Sequence, residues 1–157
     1  MPIRLEPLTL DNDARVHALR VAPGQERFVE TVEESLADAQ PHPQAWLRAA
    51  YDADELVGFV MLWDSFEDPG HMLWRLLVDA RHQRRGHGRA IVEAVAQHVR
   101  AQGATALKVS AHEGDGGPRP FYESLGFVPT GEFVGDGEVV FALPLVADGL
   151  AESFPCA

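Results

Sequence analysis

The stretch that most constrains this chain runs from Val78 to Ala90 and reads VDARHQRRGHGRA. An apolar run from Met72 to Val78 precedes it and reads as a buried strand. A long amphipathic helix is predicted to begin near Gly88. In it Ile91, Val95 and Val99 recur at four-residue spacing beside Val92 and Ala96, Glu93, Gln97 and Arg100 fall opposite, and Gly103 stops it. A strand, a turn with two glycines among arginines, and a helix N-terminus together make a phosphate grip. Glycine lets the backbone come close with φ values that a side chain forbids, and the unpaired N–H groups of the first helical turn point at the anion.

The charge distribution sharpens that reading. The formal net charge is −11, which argues against nucleic acid and anionic membranes as partners. Residues 1–70 hold fourteen acids against five arginines, whereas residues 71–157 hold ten acids against eight bases. Four arginines (Arg81, Arg84, Arg85 and Arg89) cluster within nine residues that contain no acid. A basic spot suited to phosphates therefore sits in a chain whose first half suits a cationic ligand.

Around this loop the pattern predicts an α/β chain. Ile3 to Leu8 alternates as a first strand, and Asp11 or Asn12 can cap a helix from Asp13 to Arg20. A second helix is expected over Val29 to Ala39, with Val32, Leu36 and Ala39 on one face and acids on the others. Ala45 to Asp52 and Leu56 to Trp63 read as a hairpin turning at Ala53-Asp54-Glu55, and the strand His71 to Val78 should pair antiparallel with the second of these. Leu107 to Ala111 follows the long helix as a strand, so residues 72 to 111 form a right-handed crossover with parallel strands. A glycine-rich loop from Glu113 to Gly117 leads to a short helix that begins at Pro118 and ends at Gly126. Strands Phe127 to Val134 and Glu138 to Leu145 close the sheet as a hairpin. Residues 1–145 are read as one domain and 146–157 as a C-terminal tail.

Two motifs now stand together. Gln83-Arg84-Arg85-Gly86-His87-Gly88 fits the pattern Q/R-x-x-G-x-G/A between a strand and a long helix, and Phe121-Tyr122-Glu123-Ser124-Leu125-Gly126-Phe127 fits F-Y-x-x-x-G-F. In both, the chain resembles the GNAT superfamily of acetyl-CoA-dependent N-acetyltransferases. The pieces Leu73-Trp74-Arg75 and Gly126 to Glu132 are similar to the bacterial spermine/spermidine acetyltransferases of that superfamily. The resemblance implies a mixed, mostly antiparallel sheet of six to seven strands, splayed at its centre, with helices on both faces. It also implies acetyl-CoA as cosubstrate and direct attack by a primary amine, with no covalent enzyme intermediate.

Carried over residue by residue, the resemblance places the CoA pyrophosphate on Gln83, Arg84, Arg85, Gly86, His87, Gly88 and Arg89. It places the pantetheine arm on the backbone of Leu76, Leu77 and Val78, where an N–H of Leu77 or Val78 would stabilise an oxyanion, and it adds Phe121 and Tyr122 to the cofactor site. Tyr122 is the expected acid for the departing thiolate. Two departures stand out. The strand before the loop lacks the glutamate that many relatives use as base, leaving Glu113 as the candidate, with His112, Asp64 or an acid of the early helices as alternatives. Asp115 stands where many relatives carry an asparagine that holds the cofactor.

The acceptor is read from the acidic first half. Glu30, Glu33, Glu34 and Trp74 are the candidate substrate residues, and a polyamine or similar cationic small molecule is the expected class. Trp46 and Trp63 are candidates for cation–π contact or for core packing. An aminoglycoside, an amino acid or a protein N-terminus are alternative acceptors, and a non-catalytic acyl-CoA-binding module is the rival from another class. No metal is expected, because the seven histidines show no HxxxH or HExxH spacing and Cys156 is the single cysteine. The longest apolar run is too short to span a bilayer, a cytoplasmic location is expected, and a homodimer is left open.

Overall fold

The computed structural model describes residues 3–20, 23, 31–67, 70–82, 86–111, 117–135 and 137–145. Its elements run β1 (Arg4–Glu6), α1 (Asp13–His17), α2 (Val32–Ala39), β2 (Ala45–Asp52), β3 (Glu55–Trp63), β4 (Met72–Val78), α3 (His87–Arg100), β5 (Ala106–Ala111), α4 (Arg119–Ser124), β6 (Val128–Val134) and β7 (Glu138–Pro144). A 3-10 turn, Ala80–His82, follows β4. The strands form one seven-stranded sheet in the order β1-β2-β3-β4-β5-β7-β6. Every neighbouring pair is antiparallel except β4 and β5, joined in parallel through α3. This is the mixed, mostly antiparallel α/β fold that the motifs implied.

Each face of the sheet carries its own core. On one, Ile91, Val95 and Val99 of α3 pack with Leu107, Val109, Tyr122, Phe127 and Phe141. On the other, Val16, Leu19, Val32 and Ala39 of the α1–α2 segment cover Phe59, Met61 and Leu77. Strand β3 is therefore apolar on both sides and reads as a continuous hydrophobic run.

Two helix starts differ in kind. Asn12 occupies the N-cap position of α1 but makes no cap bond. Its Oδ1 accepts from the Thr9 N–H at 2.9 Å and its Nδ2 donates to Pro7 O at 3.2 Å, so it braces the preceding turn instead of the helix. Helix α2 begins with a full capping box: Glu34 N–H donates to Thr31 Oγ1 at 3.1 Å, and Thr31 N–H donates to Glu34 Oε1 at 2.9 Å. The helix thus starts at Val32, later than the apolar pattern suggested, because Thr31 supplies the cap.

The decisive irregularity lies in β4. Leu62 pairs with Leu73 and the adjacent Met61 pairs with Arg75, so Trp74 is an additional residue on β4, a β-bulge. The β4–β5 register comprises Met72 with Lys108 and Leu73 with Val109 and stops there. From the bulge onward β4 continues along β3 while β5 continues along β7, and the sheet opens as a V. At the closed end His71 O accepts from Lys108 N–H at 2.9 Å. A side-chain network braces this corner: Asp64 takes His98 Nε2 at 3.0 Å and Gln102 Nε2 at 2.9 Å, and Gln102 Oε1 lies 3.2 Å from His71 Nε2. The ring of His98 stacks on Trp46 at 4.2 Å, so Trp46 belongs to this brace and not to an amine pocket.

Gly58 lets α3 sit close to the open limb of β4. A Cβ there would lie 2.6 Å from the Leu77 carbonyl oxygen and 3.1 Å from Ile91 Cδ1. Backbone must move to admit it, so Gly58→Ala is expected to lower stability by about 3 kcal/mol. Urea unfolding measures this, and a variant as stable as the parent would show that the approach is not tight.

Candidate active site

The V between β4 and β5 presents one edge of backbone. Asp79 N–H donates to Val57 O at 2.9 Å, and the register pairs Leu77 with Phe59 and Val78 with Gly58. Hydrogen bonding alternates along an antiparallel pair. Leu77 therefore turns its N–H and C=O toward β3, while Leu76 and Val78 turn theirs toward the gap. Before the bulge it is His71 that faces β5, so the residue added at Trp74 switches which positions look across. The N–H of Leu76 faces the gap, and that of Leu77 belongs to the β3 ladder.

At the mouth of the V stands the N-terminus of α3. Gly86 occupies the N-cap in the left-handed region with φ +82°, and a Cβ there would meet nothing within 4 Å. Ala90 N–H is the first to enter the helical ladder, donating to Gly86 O at 3.1 Å. The N–H groups of His87, Gly88 and Arg89 precede that bond and are the orphan donors of a helix start. At Gly88 a Cβ would lie 3.1 Å from Phe121 Cζ and 3.6 Å from Val78 Cγ2. This glycine brings α3, α4 and the end of β4 into contact. The start of α3 thus stands at the end of β4, beside the gap.

A buried carboxylate anchors the approach to the loop. Asp79 is 2 % exposed. Its Oδ1 accepts from Arg20 N–H at 3.1 Å, and its Oδ2 accepts from Arg81 Nε at 2.7 Å and Arg81 N–H at 3.3 Å. Burial pushes this carboxyl upward, but the Arg81 guanidinium and the Arg20 and Arg81 N–H groups outweigh it and hold the group below the usual carboxylate range. Arg81, expected as a phosphate ligand, spends its Nε on Asp79. Arg89 is exposed and lies 3.8 Å from Glu93.

Tyr122 sits on α4 beneath the mouth. It is 6 % exposed and packs between Phe121 at 5.1 Å and Phe127 at 5.4 Å. Burial pushes its phenol above the ordinary tyrosine range, so it stays protonated. That is the state a proton donor to sulfur requires.

The opposite face of the bulge is aromatic and acidic. Trp74 and Trp63 lie 6.3 Å apart, each 5.7 Å from the ring of His42, and the three rings are mutually inclined by 63–66°. Arg75 Nη2 donates to Asp38 Oδ2 of α2 at 2.8 Å, which ties that helix to the bulge. Glu33 is exposed on α2, whereas Glu34 is engaged in the cap.

Comparison with known proteins follows the same lines. The profile of the Acetyltransferase (GNAT) family matches residues 11–127. The chain belongs to the GNAT family. It is accordingly an N-acetyltransferase. A curated relative, the spermine/spermidine N(1)-acetyltransferase of Bacillus subtilis, is 28% identical over 92% of this chain and 100% of its own length. An acetyltransferase from Thermus thermophilus superposes with a TM-score of 0.71 at 22% identity, covering 92% of this chain and 98% of its own. An aminoglycoside 6'-N-acetyltransferase complexed with coenzyme A superposes with a TM-score of 0.68 at 18% identity, covering 93% and 98%.

Within the GNAT frame the structure brings the start of α3, Gly86 to Arg89, together with Val78 at the end of β4 and with Phe121 and Tyr122 of α4, while Leu76 lies two residues earlier on β4. Gln83, Arg84, Arg85, Glu30, Glu113, His112, Asp115 and the tail lie outside the described residues. Asp64, an alternative base, belongs to the brace at the closed end. Sequence reasoning missed Asp79 and the pairing of His87 with Asp52 at 3.0 Å. A lone apolar-to-acid step, Val78-Asp79, was the available signal for the first. Among the described residues no helix is long and apolar enough to cross a membrane, and no three His, Cys, Asp or Glu side chains converge as metal ligands.

The pH dependence of Asp79 has a definite sign. Its folded pKa lies below the unfolded value of ~3.9, so its contribution to stability is present above that value and is lost as pH falls through the folded pKa. Asp79→Asn is expected to cost about 2 kcal/mol at neutral pH and to flatten the acid limb of stability. Urea titrations at a series of acid pH values check this, and an unchanged acid limb would contradict it.

Proposed function

We propose that this chain moves the acetyl group of acetyl-CoA to a primary amine of a polyamine or similar cationic small molecule by direct attack. The observation that carries the acceptor class is the bulge face, where α2 is tied to β4 through Asp38 and Arg75 beside the rings of His42, Trp63 and Trp74. Aromatic faces and an exposed carboxylate such as Glu33 favour a flexible polycation. Trp74 is the bulged residue, so the same feature that opens the gap also lines the acceptor side.

On the cofactor side, the gap-facing backbone of Leu76 lines the arm, while Gly86, His87, Gly88 and Arg89 present the helix start to the phosphates. Acetyl-CoA supplies an activated thioester. A gap-facing N–H of β4 stabilises negative charge on its carbonyl oxygen. Tyr122, kept protonated by its burial, donates to the sulfur as the thiolate leaves. Glu113 is the candidate that accepts the amine proton. The B. subtilis relative and the acid-rich α2 both support the polyamine reading over the aminoglycoside one.

Release of CoA thiol on mixing acetyl-CoA with spermidine, spermine and aminoglycosides tests the acceptor. Turnover is expected with the polyamines; turnover confined to an aminoglycoside overturns the acceptor class, and tight CoA binding without any turnover favours a binding module. Tyr122→Phe is expected to lower kcat about a hundredfold while leaving acetyl-CoA affinity nearly unchanged. A kcat equal to that of the parent removes Tyr122 from the acid role.

A further inference from the structure

Face assignments along the two limbs of the V bring a second polar wall beside the bulge. Residues opposed across a strand pair point to the same face of the sheet, and successive residues alternate. Met61 lies in the core under α1 and α2 and pairs with Arg75, and Trp74 packs on that same core. The bulge therefore turns both Trp74 and Arg75 to the α1–α2 face. On β5, Leu107 and Val109 lie in the core under α3, so the alternate residues Lys108 and Ser110 also turn to the α1–α2 face. The parallel ladder ends at Leu73 with Val109. Trp74 and Ser110 are the next residues on either side and so flank the vertex of the V.

Behind Ser110 stands a carboxylate from the next strand. Ser110 pairs with Val140 of β7, and Glu138 lies two residues before Val140, on the same face. Ser110 Oγ donates to Glu138 Oε1 at 2.9 Å. That bond crosses from β5 to β7 and orients the carboxylate, and a hydroxyl does so without neutralising the charge. Toward the closed end, Lys108 Nζ lies 3.6 Å from Glu132 Oε1 of β6. Lys108, Ser110 and Glu138 are half-buried and Glu132 is exposed, so the strip is accessible in part from solvent. On the other limb of the V stand the rings of His42, Trp63 and Trp74, with Arg75 tied to Asp38.

We propose that Glu138, oriented by Ser110, forms the second wall of the acceptor site, where its carboxylate takes a non-reacting ammonium of the polyamine across the V from the ring of Trp74. Rings on one limb and a carboxylate on the other suit a chain in which methylenes alternate with cations. Glu138 stands on a strand that is paired along β5, so the sheet itself sets its distance from the gap. A carboxylate held in this way loses less freedom on binding than one on a solvated helix face, such as Glu33. Glu138 acts in binding and in register: with one ammonium fixed, the primary amine a few methylenes away is set at the gap-facing edge of β4. Ser110 is a positioning residue that acts through Glu138. The proposal rests on the reading of the acceptor as a polyamine.

Initial rates of the full chain, with spermidine and acetyl-CoA varied in turn, test it. Glu138→Gln keeps the shape of the side chain and an oxygen for the Ser110 hydroxyl, and removes only the charge. It is expected to raise KM for spermidine about tenfold and to leave KM for acetyl-CoA at the parent value. Ser110→Ala keeps the charge and loses its orientation, and should raise KM for spermidine about threefold, again without a change for acetyl-CoA. Melting curves check that each variant folds, and if Glu138→Gln does not, Ser110→Ala decides. A KM for spermidine that is unchanged in the folded variant, or that rises together with KM for acetyl-CoA, overturns the role of Glu138 while the polyamine reading stands. A parent that acetylates neither spermidine nor spermine overturns the polyamine reading and this role with it.

Discussion

One additional residue in β4 organises this molecule. Trp74 has no partner position on β3, and the backbone after it is therefore out of phase with the backbone before it. Ahead of the bulge the outward-facing groups complete the parallel ladder with β5. Beyond it the two strands part, and the gap-facing edge passes to Leu76 and Val78. A parallel pair that ended without this shift would leave its edge positions in the phase of a sheet. With it, the opening becomes a lined slot that ends at the N-terminus of α3.

The rest of the structure holds that opening at fixed width. The closed end is braced by Asp64, His71, His98 and Gln102, a polar network satisfied within itself. At the mouth, Gly88 allows Phe121 to meet α3, and buried Asp79 fixes the chain as it leaves β4. Gly58 brings β3 under α3 on the same limb. Two-sided burial of β3 gives these polar anchors a rigid floor. The acetyl transfer proposed above draws on an aligned backbone edge, a helix start and one protonated phenol.

Much of this was legible in the sequence wherever the signal was local. The period of α3, the glycine turn before it and the F-Y-x-x-x-G-F stretch placed the crossover and the two short segments, the start of α3 and α4, that meet at Gly88. What escaped were interactions between distant residues. Nothing in Leu73-Trp74-Arg75 announces a bulge, because a bulge is a mismatch with another strand and not a property of its own residues. The histidines were set aside only as metal ligands, and their pairings escaped notice: His87 pairs with Asp52 and His98 with Asp64 across 35 and 34 residues. Asn12 looked like a cap and braces a turn instead, since a short polar side chain has several backbone groups within reach. Glu34, read as a substrate carboxylate, is the reciprocal half of a capping box whose S/T-x-x-E spacing was present in Thr31 to Glu34.

The account turns on the phase of β4. Amide signals followed by NMR as acetyl-CoA is added test it most directly. The prediction is slowed exchange at Leu76 and at Gly86 to Arg89, with Leu77, already in the β3 ladder, unchanged. Protection at Leu77 without Leu76, or protection that misses the start of α3, would contradict the bulge-opened slot as the cofactor site.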